Sequence, residues 1–347
     1  MSVDTIRPVN WQDNMLVLMD QRYLPSQEIN FICKTSGDAI TAIREMVVRG
    51  APAIGVTAAF GSVLAARESW SKLGKNWKRA VEPLLQDLSL ARPTAINLIW
   101  AINQMRLVIK SCPDKQNPEE ALLSRAMQIM NEDIASNHKM GEFGAALIKE
   151  PCSVLTHCNA GALATAGYGT ALGVIRSAYA AGKIERVYAD ETRPWLQGAR
   201  LTAWEMVKEG IPVSLLADGA ASWLMKKGKV SWVIVGSDRI AANGDVANKI
   251  GTYATAIAAR YHGIGFMVVA PTTTIDMSVE NGDFIPIEER NPDELLQIAG
   301  TDSAAHGSDA WNPVFDITPA ALVDVLVTEK GVILKPDKQK IHDLMSP

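Results

Sequence analysis

From about residue 150 onward the chain alternates short apolar, β-rich runs with helical patterns, and few architectures accept that rhythm. The runs are Ser153–His157, Arg186–Ala189, Pro212–Leu216, Trp232–Val235 and Gly265–Val269. Helical patterns fill 164–181, 198–209, 218–227 and 247–261. Strands alternating with helices imply a parallel, doubly wound sheet with right-handed crossovers. A further helix is expected at 318–327 and a last strand at Gly331–Leu334.

The preceding part reads differently. Met15–Asp20 has the pattern of a short strand, followed by the turn signal Leu24-Pro25-Ser26. Apolar residues recur at helical spacing over 36–48, from Ala39 and Ile40 to Met46 and Val47. Arg49-Gly50-Ala51-Pro52 interrupts them, with proline placed for the first turn of a new helix. Ala53–Ala66 is small and apolar, as in a buried helix, and further helices are expected over 76–90, 94–110 and 117–148. Arg92-Pro93-Thr94 separates two of them, because a residue before proline avoids the α region. The fold class is therefore α/β: a Rossmann-like parallel-sheet domain, residues 126–347, preceded by a smaller, mainly helical domain with a short β element, residues 1–125.

Composition narrows what such a chain can do. With 347 residues and 48% hydrophobic content it can build a large core, about two domains by size. A net charge of −4 argues against a generic nucleic-acid surface, so an anionic ligand needs a local basic cluster. The four cysteines form no Cys-x-x-Cys pair, and no histidine spacing suggests zinc. Free thiols in a reducing cytosol are the simpler expectation than a disulfide framework. No signal peptide is visible at the amino terminus, and the apolar runs are too short for a bilayer. A cytoplasmic protein with no membrane or nucleic-acid partner is expected.

Two residues stand where a strand meets a turn. Cys158 follows Ser153–His157, and Asp238 follows Trp232–Val235. In a parallel α/β sheet the carboxyl ends of strands border the crevice where ligands bind. A thiol and a carboxylate there can divide a proton-transfer task. A thiol at a helix amino terminus favours the thiolate, although a free cysteine is also a small buried apolar residue. His157 is its neighbour, but adjacent strand residues point to opposite faces, so a Cys–His dyad is not inferred and His157 is read as structural. Asp238 ends a wholly apolar strand, and partial desolvation suits it to act as an acid. An N-cap or an ion pair with Arg239 is its plainer role.

Other segments surround this pair. Gly167–Gly173 resembles a dinucleotide-binding glycine pattern, with Asp190 suited to a ribose hydroxyl. Its glycines come about ten residues too late for the first βα turn; packing inside the helix is the better reading. Asn159–Thr165 places small residues and amides between a strand and a helix, which suits an anion or an ordinary βα loop. Glu191–Arg200 combines Trp195 and Gln197 with two arginines, as in a site loop or a subunit interface. Asn248 and Lys249 are expected to open the next helix, where lysine can meet a phosphate. Asn243-Gly244 reads as a tight turn. Arg49 and Arg92 each precede a helix start, where a guanidinium beside helix amides makes a phosphate clamp.

Together, Val48–Gly55, Thr156–Thr165, Glu191–Glu205 and Asp238–Tyr253 resemble the methylthioribose-1-phosphate isomerase family, which is related to the regulatory subunits of translation initiation factor 2B. The similarity runs over nearly the whole chain. It implies that Cys158 and Asp238 are catalytic, and that Arg49, Gly50, Ala51, Arg92, Gln197, Asn248 and Lys249 bind substrate. Ser237 departs from the family, where Ala or Cys is expected.

The implied reaction converts 5-methylthioribose 1-phosphate to 5-methylthioribulose 1-phosphate, without metal or cofactor. The anomeric oxygen is esterified, so the sugar cannot open spontaneously. Protonated Asp238 would open the ring, and Cys158 would remove the C2 proton or stabilise charge during a hydride shift. The alternatives are a ribose-1,5-bisphosphate isomerase, a non-catalytic initiation-factor-type subunit, and a nicotinamide-dependent oxidoreductase. A homodimer is expected, by resemblance and from the aromatic-rich loop.

Overall fold

The computed structural model describes residues 3–92, 95–298 and 300–346. The chain divides into two compact units. One comprises residues 4–138 and 161–169, the other residues 1–3, 139–160 and 170–347. The expected boundary at 125/126 lies inside one long helix, Glu119–Leu147. Among the described residues no helix is long and apolar enough to cross a membrane.

The first unit pairs a small antiparallel sheet with helices. Strands β1 (Val9–Gln12), β2 (Met15–Met19) and β3 (Asn30–Cys33) form a meander. Helices α1 (Ser36–Arg44), α2 (Ala51–Leu73), α3 (Trp77–Ser89), α4 (Ile96–Ser111) and α5 (Glu119–Leu147) follow. α2 is apolar nearly all round and buried along most of its length, as expected of a helix enclosed by others. Its N-cap is Gly50, with φ +93°, and Pro52 sits in its first turn. A Cβ on Gly50 would come within 2.6 Å of Ala164, so the start of α2 packs directly on the 161–169 segment. That segment is held within the same unit by three further bonds. Gln21 Nε2 donates to Leu163 O, Asn137 Nδ2 donates to Gly167 O, and the Ala166 amide donates to Asp133.

The second unit carries a seven-stranded sheet. In chain order its elements are β4 (Cys152–Thr156), α6 (Ala171–Ala180), β5 (Ile184–Asp190), α7 (Ala203–Lys208), β6 (Val213–Leu216), α8 (Ala221–Lys226) and β7 (Trp232–Val235). A hairpin, β8 (Arg239–Ala241) and β9 (Val246–Lys249), leads to α9 (Thr252–His262) and β10 (Gly265–Val269). After β11 (Ile275–Asp276), α10 (Asp293–Leu296) and the small ribbon β12 (Gln297–Ile298) and β13 (Thr301–Asp302) comes β14 (Phe315–Thr318). β15 (Val325–Thr328), β16 (Gly331–Leu334) and α11 (Lys338–Met345) end the chain.

Sheet order is β16-β15-β10-β7-β4-β5-β6, parallel except for β16. Alternate residues serve opposite faces. Val154, Ile234 and Met267 join one apolar core, while Leu155, Val233 and Phe266 join another. Burial on both faces explains why these strands read as unbroken apolar runs. From β4 the chain winds outward through β5 and β6, then returns to lay β7 on the other side of β4. The winding direction therefore reverses between β4 and β7, and in open α/β sheets that switch point is where ligands bind.

Three expectations about helices need correction. Residues 247–249 are not helical: Val246–Lys249 is β9, paired antiparallel with β14, and the helix starts only at Thr252 after Gly251. The expected helix at 318–327 is instead a turn leading into β15, whose four residues are all buried. A short apolar run buried on both faces lacks the alternation that marks a strand. Between β4 and α6 the helix begins at Ala171, so of the glycines in Gly167–Gly173 only Gly173 lies within it. β8, β9, β11 and β14 form a separate four-stranded sheet, in order β11-β8-β9-β14.

Candidate active site

Cys158 lies two residues beyond the end of β4, and Asp238 three beyond the end of β7. The strands are parallel neighbours, with Val154 opposite Trp232 and Leu155 opposite Val233. Both residues thus leave the same edge of the sheet at the switch point, from strands about 4.8 Å apart. Their turns touch: a Cβ added to Gly236 would lie 2.5 Å from that of Ala160. Cys158 is 9% exposed and Asp238 is half-buried.

Cys158 is not at a helix amino terminus, contrary to the sequence expectation. Twelve residues separate it from α6, and the first amides of that helix are engaged, since Thr170 and Leu172 donate to Ala160 O. Its backbone is left-handed, with φ +63°. Thr192 and Leu196, in the loop after β5, are left-handed as well, at φ +65° and +61°. Such conformations cost about 1–3 kcal/mol each for non-glycine residues and cluster at functional sites. Cys158 N–H donates to Thr192 Oγ1 at 2.9 Å, and its carbonyl accepts from Thr202 Oγ1 at 2.5 Å.

His157 is fully buried. Its Nδ1 lies 2.9 Å from Asp190 Oδ2 and its Nε2 lies 2.8 Å from the carbonyl of Ile250. Burial works against the imidazolium, but the Asp190 hydrogen bond and charge and the Ile250 carbonyl outweigh it, so its pKa is raised. Asp190 is also raised, chiefly by burial. Asp218 lies close by, and one ligand atom each from His157, Asp190 and Asp218 fall within 4.8 Å of one another. Most of these donors are turned to the protein, although the buried Oδ1 of Asp190 makes no hydrogen bond. Both nitrogens of His157 are committed, and the two oxygens of Asp218 accept the amides of Thr192 and Arg193. The group therefore reads as a polar frame under the turns.

The loop after β5 is equally ordered. Arg193 donates to three carbonyls, those of Pro194, Glu294 and Leu295, and Arg200 stacks on Trp195 at 4.1 Å. Gln197, 4% exposed, leads into a π-helical turn, Gly198–Thr202, and its buried Oε1 has no hydrogen-bond partner. π-helical turns occur often at functional sites.

Asp238 is held by the β8–β9 hairpin, its amide donating to Ala247 O at 2.9 Å. Ser237 Oγ lies 3.0 Å from Arg239 O and 3.1 Å from Ala247 O, bonds that an alanine could not make. Arg239 pairs with Asp276 at 3.7 Å. Asn248 and Lys249 are buried in β9, where Asn248 Nδ2 donates to Thr252 and Lys249 Nζ lies 4.7 Å from the Phe315 ring. The amino end of α9 already serves a carboxylate, because Asp316 accepts from Gly251 and Tyr253. Those two amides are not available to a phosphate.

Cys158, Gln197, Asp238, Asn248 and Lys249 therefore all belong to the second unit, on turns and the hairpin at the carboxyl edge of its sheet. Arg49, Gly50, Ala51 and Arg92 belong to the first unit. Arg49 is buried at 8% exposure and precedes Gly50, the N-cap of α2. Arg92 follows α3 and stands four residues before α4, while Pro93 and Thr94 lie outside the described residues. Sequence reading missed Thr192, Thr202, Glu205 and Arg176. The last two are fully buried: Arg176 bonds Glu205 at 2.8 Å and Glu209 at 2.6 Å. Nothing in the sequence marks this pairing, since it joins separate helices.

An open, doubly wound α/β unit with its polar residues gathered at the switch point defines a class of small-molecule-binding proteins. The Initiation factor 2 subunit family model matches residues 47–335. Methylthioribose-1-phosphate isomerase of Nitrosococcus oceani is 55% identical over 98% of each chain, and that of Alkalilimnicola ehrlichii is 57% identical over 95% of each. The crystal structure of 5-methylthioribose 1-phosphate isomerase from Pyrococcus horikoshii superposes with a TM-score of 0.91, at 39% identity over 99% of each chain. A structure titled translation initiation factor eIF-2B, subunit delta, from A. fulgidus matches with a TM-score of 0.87, at 40% identity over 98% of this chain and 100% of that one. The chain belongs to the methylthioribose-1-phosphate isomerase branch of the Initiation factor 2 subunit family.

Proposed function

We propose that the chain isomerises 5-methylthioribose 1-phosphate to 5-methylthioribulose 1-phosphate, with Asp238 as the acid and Cys158 as the base or charge stabiliser. The observation that carries the reading is the placement of a thiol and a carboxylate on touching turns at the switch point of the sheet. Relatives of this name at more than half identity support the substrate.

The substrate is an aldose locked by its phosphate ester. Ring opening needs a proton on the ring oxygen, and Asp238 is the carboxyl group that can deliver it. Hydrogen then moves from C2 to C1. Cys158, as thiolate, takes the C2 proton and returns it to C1, or holds the developing charge while hydride shifts. The C2 hydroxyl gives its proton back to the Asp238 carboxylate as the ketone forms. The buried walls of the site keep water from the cationic intermediate. Gln197 Oε1, with its lone pairs unspent, is suited to accept from a sugar hydroxyl. By the resemblance, Arg49, Gly50, Ala51, Arg92, Asn248 and Lys249 are the candidate substrate contacts, with the cations as the groups suited to a phosphate.

The test is an assay of purified protein with methylthioribose 1-phosphate beside ribose 1,5-bisphosphate, following ketose formation. Turnover of the first at least about tenfold above the second is expected, from the apolar methylthio group against a second phosphate. Preference for the bisphosphate would reassign the substrate. Turnover of neither would favour the alternative of a non-catalytic initiation-factor-type subunit.

A further inference from the structure

Cys158 carries a backbone that its own sequence does not ask for. Left-handed φ values are uncommon outside glycine, asparagine and aspartate. Something must hold it there, and buried threonine hydroxyls bond the peptide groups on both sides of it. Thr192 Oγ1 accepts the Cys158 amide proton and donates its own hydrogen to Asp190 O at 3.1 Å. Thr202 Oγ1 donates to the Cys158 carbonyl and accepts from Asn159 Nδ2 at 3.3 Å. Asn159 Nδ2 also donates to Glu205 Oε1 at 2.8 Å, and Glu205 Oε2 accepts from Arg176 at 2.8 Å. Thr192, Thr202, Glu205 and Arg176 are each wholly buried, so no water competes for these bonds.

We propose that Thr192 and Thr202 are positioning residues that clamp the peptide groups on either side of Cys158 and so aim its sulfur, with Asn159, Glu205 and Arg176 fixing Thr202 in place. The inference rests on the reading of Cys158 as the reacting thiol. Loss of either hydroxyl removes its hydrogen bond to a buried peptide group of Cys158, which weakens the hold on the left-handed backbone and favours relaxation to a negative φ. That rotation swings the Cα–Cβ bond, moving the sulfur while leaving groups elsewhere in the site untouched.

The test uses Thr192→Val, Thr202→Val and Thr202→Ser in the full-length protein, with Cys158→Ser as the reference. Two quantities are read: kcat and KM on methylthioribose 1-phosphate, and the pH profile of iodoacetamide alkylation at Cys158, located by peptide mass spectrometry. Each valine variant is expected to lose about 10- to 100-fold in kcat with KM within about threefold, because misplacement of a reacting group by an ångström costs that much. The alkylation profile shifts in both, and Thr202→Ser restores both readouts. Wild-type kcat and an unchanged profile in both valine variants would overturn the proposal.

Thermal melts give a reading that survives poor folding of those variants. Cys158→Gly should melt above Cys158→Ala, since glycine takes a positive φ without strain. Equal or reversed melting temperatures would show that no strain is held, and the clamp would be rejected. Full turnover by Cys158→Ser would refute the reactive-thiol reading alone, because the clamp is judged on the alkylation profile and the melts.

Discussion

The imidazole of His157 and the carboxyl group of Asp190 form a buried pair, 2.9 Å apart, at the ends of the neighbouring strands β4 and β5. With Ile250 O accepting at Nε2, the pair holds a proton that a neutral imidazole and a free carboxylate would not share. Both pKa values are raised. The folded state therefore binds protons more tightly than the unfolded chain, and stability falls as pH rises. The contribution of His157 is complete below the ordinary imidazole value of 6.5 and is lost as pH climbs through its raised value. Melting temperatures of the wild type should decline over that window, and a His157→Gln, Asp190→Asn double variant should decline less. Parallel pH profiles for the two proteins would remove the pair from the account.

Cys158→Ser and Asp238→Asn should each lower kcat at least about 100-fold, the scale of lost general acid–base catalysis, with substrate binding largely intact. Calorimetric titration with the substrate separates the two effects. Activity near wild type in either variant rules out the role given to that residue.

Arg176 pairs with both Glu205 and Glu209 in a fully buried cluster. Arg176→Met removes the cation that both carboxyl groups share, and removal of one member of a buried ion pair costs about 3–5 kcal/mol. Urea unfolding measures this. A loss under about 1 kcal/mol would mean that the cluster stabilises the fold no more than a surface pair does.

Gly236→Ala sets two Cβ atoms 2.5 Å apart, and neither can yield because both are fixed to backbone. The turns carrying Cys158 and Asp238 must separate, at about 1–3 kcal/mol for overpacking. Activity should drop with stability, and a second change, Ala160→Gly, should recover both. A stable, active Gly236→Ala protein would show that the turns are looser than their geometry implies.

Much of the central sheet was legible because its strands are buried on both faces and read as unbroken apolar runs, as in Trp232–Val235. The hairpin sheet was not. Val246–Lys249 is four residues long and owes its strand state to pairing with Phe315–Thr318, far along the chain. Read locally, Ala247–Lys249 continues into the helical pattern of α9. Cys158 and Asp238 could be singled out because each follows an apolar run. The left-handed turn of Cys158 could not, since its cause lies in the hydroxyls of Thr192 and Thr202. Arg176, Glu205 and Glu209 resemble ordinary charged helix residues until the fold encloses them.

The nine residues from Gly161 to Gly169 count with the helical unit, although the strands before and after them do not. An excised fragment starting at Lys139 would keep this stretch of chain yet lose Gln21, Asp133 and Asn137, which tether it. Grafting a foreign amino-terminal half onto the remainder would meet the same difficulty a few positions downstream of the sulfur. The two halves of this protein are thus not interchangeable parts, and exchange between relatives would have to transfer that stretch together with its tethers.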